Sequence, residues 1–267
     1  MKKVVIAVAV MVGIVLVLVV VMMKSFSRSE ITFEPNTKEG SVVQAVGFGH
    51  ANVFFIRTGD GYILVDAGMP GDPERLDEVF ATAGVDPGTI GLIVVTHGHM
   101  DHMGLTAHAK EITGAQVLCH QSLAGKLAGG EIEGSVAQNV MGRFINFMAG
   151  IQELTGGGDI EGVEADILVG DSFDLSEYGI SGQVIHTPGH SLGSLSIVLD
   201  NGETLIGDMV RDEGDGKIGP GMFYEDKGAL LASLEEVALL NSRTIYLSHG
   251  NIVDNTGLKQ AIATLQD

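Results

Sequence analysis

The chain has 267 residues, 45% of them hydrophobic, which excludes a disordered or collagen-like polypeptide and allows one or two packed domains. Aromatic residues make up 5%, with no Trp, against 38 glycines, a profile that suits a loop-rich α/β protein better than an aromatic-cored β-sandwich. Fifteen Lys and Arg against 34 Asp and Glu give a net charge of −19, and with no basic cluster to overcome it this surface repels nucleic acid.

Val4 to Met23 contains only Val, Ile, Ala, Leu, Met and Gly, and a helix of that length covers about 30 Å, the hydrocarbon thickness of a bilayer. The run exceeds the apolar region of a cleaved signal peptide and lacks a small-residue cleavage pattern, so residues 1–24 read as an uncleaved transmembrane anchor. Lys2 and Lys3 precede it while Lys24 and Arg28 follow, which favours an extracytoplasmic globular part. Residues 25–41 are polar and read as a juxtamembrane linker, and residues 42–267 as one folded domain. Within it, Val42–Val46, Asn52–Arg57 and Tyr62–Asp66 read as strands, the last two joined by the turn Thr58-Gly59-Asp60-Gly61. Asp72–Ala83 reads as a helix with Pro73 at its first position. Leu92–Thr96 and Ala115–Cys119 are strands of the buried type, and a helix falls within Val136–Leu154. Strands at Gln183–His186, Ser194–Leu199, Glu203–Ile206 and Thr244–Leu247 follow, with helices at Ala229–Leu240 and Leu258–Leu265. Alternating strands and helices point to an α/β or mixed layered fold.

The chemistry gathers where apolar strands end. Thr96-His97-Gly98-His99-Met100-Asp101-His102 places three imidazoles and a carboxylate within six positions, the ligand set of Zn²⁺ and similar first-row ions. A helix would set His97 and His99 about 200° apart, so only a sharp loop, eased by Gly98, brings both to one ion. Adjacent Asp101 and His102 can then face a second. His190, Asp208 and His249 end or follow apolar segments in the same manner, and together the seven form a set in which no member is persuasive alone. The single cysteine, Cys119, permits no internal disulfide and lies in an apolar strand, so it reads as core.

This ordered set resembles the metallo-β-lactamase superfamily from about Val42 onward, and Asp66, in Leu64-Val65-Asp66-Ala67-Gly68, matches the motif that precedes the metal cluster there. The resemblance implies a four-layer αββα sandwich with a two-metal site. Carried over by position, His97, His99 and His190 hold metal one, Asp101, His102 and His249 hold metal two, and Asp208 bridges them. Asp66 accepts a hydrogen bond beside the ligands. The implied cofactors are two divalent ions, zinc first with iron or manganese as alternatives. The implied enzyme is a hydrolase in which a hydroxide shared by the ions attacks an ester, thioester or lactone carbonyl of a small-molecule substrate, with Asp101 orienting the nucleophile.

Glyoxalase II is similar ligand for ligand, although only 18 residues follow His249, too few for the substrate-binding helices of that family. Lactonases of similar size carry a Tyr just beyond the bridging Asp, where this chain has Met-Val-Arg; Tyr224 is the candidate to replace it, and His50 a second candidate for substrate contact. Residues Gln121–Gly170 carry no chemical motif and could form a lid, with Val140, Met141, Phe144, Ile145, Phe147 and Met148 as an apolar face or an ordinary core face. Two other classes stay open: a mononuclear iron dioxygenase of sulfur compounds, and a membrane-tethered metal-binding domain without turnover. The oligomeric state is not legible in the sequence.

Overall fold

Strands that are apolar at nearly every position are stable only where both faces of a sheet are covered. The computed structural model, which describes residues 13, 31–33, 38–49, 51–154, 159–213 and 217–266, shows how they are covered. A seven-stranded sheet runs in chain order through Ile31–Phe33 (β1), Val43–Phe48 (β2), Ala51–Arg57 (β3), Tyr62–Val65 (β4), Ile90–Val94 (β5), Gln116–His120 (β6) and Ile167–Val169 (β7). The first four strands pair antiparallel; from β4 onward the pairing is parallel. Parallel neighbours need crossovers, supplied by helices Glu74–Ala83 (α1), Met100–Met103 (α2), Thr106–Thr113 (α3), Ala124–Gly129 (α4) and Val140–Leu154 (α5). A second sheet contains Ser172–Asp174 (β8), Gly182–His186 (β9), Leu195–Leu199 (β10), Glu203–Leu205 (β11) and, beyond the ribbon of Arg211–Asp212 (β12) with Ile218–Gly219 (β13), Thr244–Tyr246 (β14). Lys227–Leu239 (α6) and Asn255–Gln266 (α7) complete the chain.

Side chains on the central strands alternate between two destinations. Val53 and Phe55 of β3, Leu64 of β4 and Ile93 of β5 pack with Leu76, Val79 and Phe80 of α1. Phe54, Ile56, Ile63, Val65, Leu92 and Val94 point the other way, against Val184, Leu195, Ile197, Leu205 and Tyr246 of the second sheet. On that sheet's far side Ile185 and Ile245 meet Leu230, Leu234 and Val237 of α6 and Leu258, Ala261 and Leu265 of α7. The layers run helix, sheet, sheet, helix, the αββα order that the resemblance implies.

The short helices between residues 100 and 129 and strands β7, β8, β12 and β13 carry too few residues for a periodicity to be read. The expected single-pass membrane placement is corrected: among the described residues no helix is long and apolar enough to cross a membrane. The longest of them, α5, has 15 residues and includes Arg143 and Glu153, against the roughly 20 apolar residues that a span requires. Val4–Met23 lies, apart from Gly13, outside the described residues.

One close approach sets the position of α2. Gly104 donates its N–H to the Gly68 carbonyl at 2.9 Å, and a Cβ at 104 would stand 2.2 Å from the Pro70 backbone nitrogen. Backbone cannot swing aside as a side chain can, so Gly104→Ala is expected to destabilise by roughly 3 kcal/mol. Thermal denaturation should show Tm lower by about 6–12 °C for a chain of this size; an unchanged Tm would mean that the loop at 68–70 yields freely.

Candidate metal centre

Strands β4, β5, β9, β11 and β14 all finish at one edge of the two sheets. The residues just beyond their ends are Asp66, His97, His190, Asp208 and His249. The sheets are joined at this edge by Leu195 N–H donating to the Thr96 carbonyl at 2.8 Å. His99, Asp101 and His102 reach the same edge from the loop after β5, where α2 begins, and His102 and Met103 both hydrogen-bond back to the His99 carbonyl. All seven candidate ligands thus converge in space, from segments up to 152 residues apart in the chain.

They form two groups. One nitrogen or carboxylate oxygen from each of His97, His99, His190 and Asp208 lies within 4.8 Å of the others, and the same holds for Asp101, His102 and His249. Asp208 reaches both: its Oδ2 is 3.6 Å from His190 Nε2, 3.9 Å from His97 Nε2 and 3.0 Å from His249 Nε2, while Oδ1 is 3.4 Å from His102 Nε2. Asp101 Oδ2 is 3.3 Å from His249 Nε2.

The surroundings fix which ring nitrogen faces inward. The buried Asp66 carboxylate accepts from Thr96 N–H and Thr96 Oγ1, each at 2.8 Å, and lies 2.8 Å from His102 Nδ1. Asp66 adopts a left-handed backbone (φ 62°), a conformation that Asp tolerates better than most residues. Because Thr96 Oγ1 gives its proton to Asp66, it can only accept from His97 Nδ1, 3.0 Å away. His190 Nδ1 donates to the Phe223 carbonyl at 3.0 Å. In neutral His97 and His190 the Nδ1–H is thereby spoken for, and the Nε2 lone pairs point into the cluster.

These lone pairs meet His99 Nδ1 at 3.1 and 3.0 Å. A single ring nitrogen cannot satisfy two converging acceptors, whereas three imidazole nitrogens on a tetrahedral zinc stand about 3.3 Å apart at Zn–N of 2.0–2.1 Å. His102 Nε2 and Asp208 Oδ1, which face each other across the cluster, are buried without a hydrogen-bond partner among the described residues. Convergent lone pairs and orphaned buried atoms are what a metal cation would relieve, so the residues fit the ions that the fold implies.

The electrostatics divide the same way. Burial, reinforced by neighbouring His102, holds His97 well below the ordinary imidazole range, and burial takes His190 down to about 3. Burial also opposes protonation of His249 and His102, but the Asp208 and Asp101 carboxylates outweigh it and push His249 up to about 10 and His102 well up. Asp208 is held well below the carboxylate range, His249 and His102 overcoming its burial.

Other residues fall outside the cluster. Tyr224 is partly buried and packs against the helix-side core of the second sheet, next to Phe223, whose carbonyl accepts from His190. His50 lies outside the described residues. Cys119 sits in the first core, where burial, with Glu133 nearby, raises its thiol to about 12. His120 and His186, at two strand ends, stack with ring centroids 4.0 Å apart. Three partners were not foreseen from the sequence. Thr96 is foreshadowed only by its place before His97; the Phe223 carbonyl and Glu133, whose Oε2 accepts from Gly98 N–H at 2.8 Å, carry no local signal.

The comparisons with known proteins agree. The family model of the metallo-beta-lactamase superfamily matches residues 46–249. The chain is 27% identical to the "Probable metallo-hydrolase YqgX" of Bacillus subtilis, over 78% of this chain and 89% of that one. It is 25% identical to a hydroxyacylglutathione hydrolase of Cupriavidus taiwanensis over 79% of this chain and 66% of the other. A "Beta-lactamase-like protein 2 homolog" of Caenorhabditis elegans is 27% identical over 76% of this chain. This chain spans a little over half the length of that protein and of its Drosophila melanogaster counterpart, 57% and 59%. In fold it is similar to an archaeal superfamily protein from Sulfolobus tokodaii, with a TM-score of 0.62 and 21% identity over 85% of this chain and 87% of the other. With a family model spanning the ligand set from before Asp66 to His249, the chain belongs to the metallo-beta-lactamase superfamily.

Proposed function

We propose that residues 42–267 form a binuclear metal-dependent hydrolase acting on an ester, thioester or lactone of a small molecule. The observation that carries this reading is Asp208, whose carboxylate faces both groups of candidate ligands at once. His97, His99 and His190 would hold one ion, Asp101, His102 and His249 the other, and Asp208 both. Such a pair supplies Lewis acidity and lowers the pKa of water towards 7. The protein's own groups then do the rest. The Asp101 side chain is 22% exposed against 9% for Asp208, so it is the carboxylate that faces arriving water and substrate. It orients the attacking water, takes its proton as the new C–O bond forms, and returns a proton to the departing oxygen or sulfur. Asp66 and the Phe223 carbonyl keep His102 and His190 in the tautomers that this requires. The hydroxyacylglutathione hydrolases among the relatives support the thioester as the first bond to test.

The test is elemental analysis of the purified chain together with turnover of thioester, lactone and phosphodiester probes, before and after treatment with a chelator. Two zinc or similar ions per chain, with acyl-bond cleavage lost on chelation and restored by metal, is the expected result. One iron per chain without hydrolysis would overturn it and move the reading to oxidation of sulfur compounds.

A further inference from the structure

The loop that carries His97 and His99 is held by a residue far outside the ligand motif. Glu133 lies in the segment between α4 and α5, 35 positions from Gly98, and is 5% exposed. Its Oε2 accepts the Gly98 N–H at 2.8 Å, and its own backbone N–H donates to the Gly98 carbonyl at 2.7 Å. One residue thus satisfies both backbone polar groups of the glycine that separates the two histidines. The fit is close on both sides: a Cβ at Gly98 would stand 2.6 Å from Glu133 Cγ and 2.5 Å from Leu123 Cδ1. Glu133 also borders the loop beyond His190, since a Cβ at Gly193 would lie 3.5 Å from its Oε1. A carboxylate buried to this degree is costly unless a partner requires it, and the partner here is the ligand loop itself.

We propose that Glu133 is a positioning residue that sets the spacing of His97 and His99 and thereby the affinity of the centre they share with His190. The assignment rests on the reading that these histidines hold a metal. Three imidazoles bind one ion tightly only if their nitrogens are held in advance at the right separation, and groups that fix ligands in this way change metal affinity by about 10–100-fold when removed. In the other group, Asp101, His102 and His249, His102 has an anchor of its own in Asp66 and His249 comes from the second sheet, so this group depends less on the Gly98 peptide. The effect should therefore fall chiefly on one of two ions, an asymmetry that a general loss of stability would not produce.

The experiment is a titration of the metal-free full chain with Co²⁺, followed by visible absorption and by competition with a chelator of known affinity. Wild type takes up two equivalents. Glu133→Ala is expected to bind one of them about 10–100-fold more weakly, with altered absorption bands for that ion, and to affect the other less. Glu133→Gln, whose amide oxygen still accepts the Gly98 N–H, is expected to restore both affinity and spectrum. Gly98→Ala, which displaces Glu133 from the opposite side, should reproduce the Glu133→Ala defect. If Glu133→Ala matches wild type, or if Glu133→Gln is as impaired as Glu133→Ala, the positioning role is overturned. Should Glu133→Ala fail to fold, the Gln and Gly98 variants decide the matter alone. If wild type itself binds no Co²⁺, it is the reading of the metal centre that falls.

Discussion

Asp208→Ala is expected to hold no more than one metal ion per chain and to turn over acyl probes about 10³-fold more slowly, since two ions acting together contribute several kcal/mol at the transition state. The reason lies in the charge balance of the site. Asp208 is the carboxylate within reach of four imidazoles at once, 3.9 Å from His97, 3.6 Å from His190, 3.0 Å from His249 and 3.4 Å from His102. Without it Asp101 is the one carboxylate left among the candidate ligands, and two dications would sit close together with a single anionic ligand. Elemental analysis of the variant beside wild type gives the answer directly. Two ions with normal turnover would remove the bridging role from Asp208.

Asp66→Asn is expected to leave the fold standing and empty one ion position, the one served by His102. The carboxylate accepts at both oxygens: Oδ1 from Thr96 N–H, Oδ2 from Thr96 Oγ1 and His102 Nδ1. An amide can keep an oxygen towards the Thr96 backbone, but its NH₂ then faces His102 Nδ1. The ring must present a lone pair there and place its proton on Nε2, where it can no longer bind a metal. Metal content near one ion per chain, with a Tm of the metal-free variant close to that of the metal-free wild type, is the expected outcome. Asp66→Ala should be worse for stability, by roughly 3–5 kcal/mol, because it leaves three buried donors unanswered. Two ions bound by the Asn variant would show that His102 does not depend on Asp66 for its tautomer.

The candidate ligands are legible because chemistry and fold coincide at strand ends. A histidine or aspartate that follows an apolar run is conspicuous, and His97 to His102 crowd four such side chains into one loop. The strands were legible for a related reason, since residues covered on both faces, as in β3 and β5, leave unbroken apolar runs. Contacts between distant segments leave no such mark. Nothing around Glu133 announces Gly98, and nothing around Phe223 announces His190. Periodicity also tells which side chains share a face but not what covers it. The apolar stripe on α5 was open to reading as core or lid, and the structure leaves Val140 82% and Phe147 64% exposed. That helix enters from Ala137, which pairs with Phe223, so the exposed stripe and the carbonyl that orients His190 belong to one connected segment.

The division of the seven candidate ligands between the two sheets has a consequence for how the molecule comes apart. His97, His99, Asp101 and His102 follow β5 in the first sheet, whereas His190, Asp208 and His249 follow strands of the second. Neither sheet carries either full set alone. Ions bound there would act as a clasp across the seam and stabilise the native chain with the logarithm of their free concentration over Kd. Parting the sheets would break both ligand sets at once, so bound ions would raise the cost of opening the core and slow it.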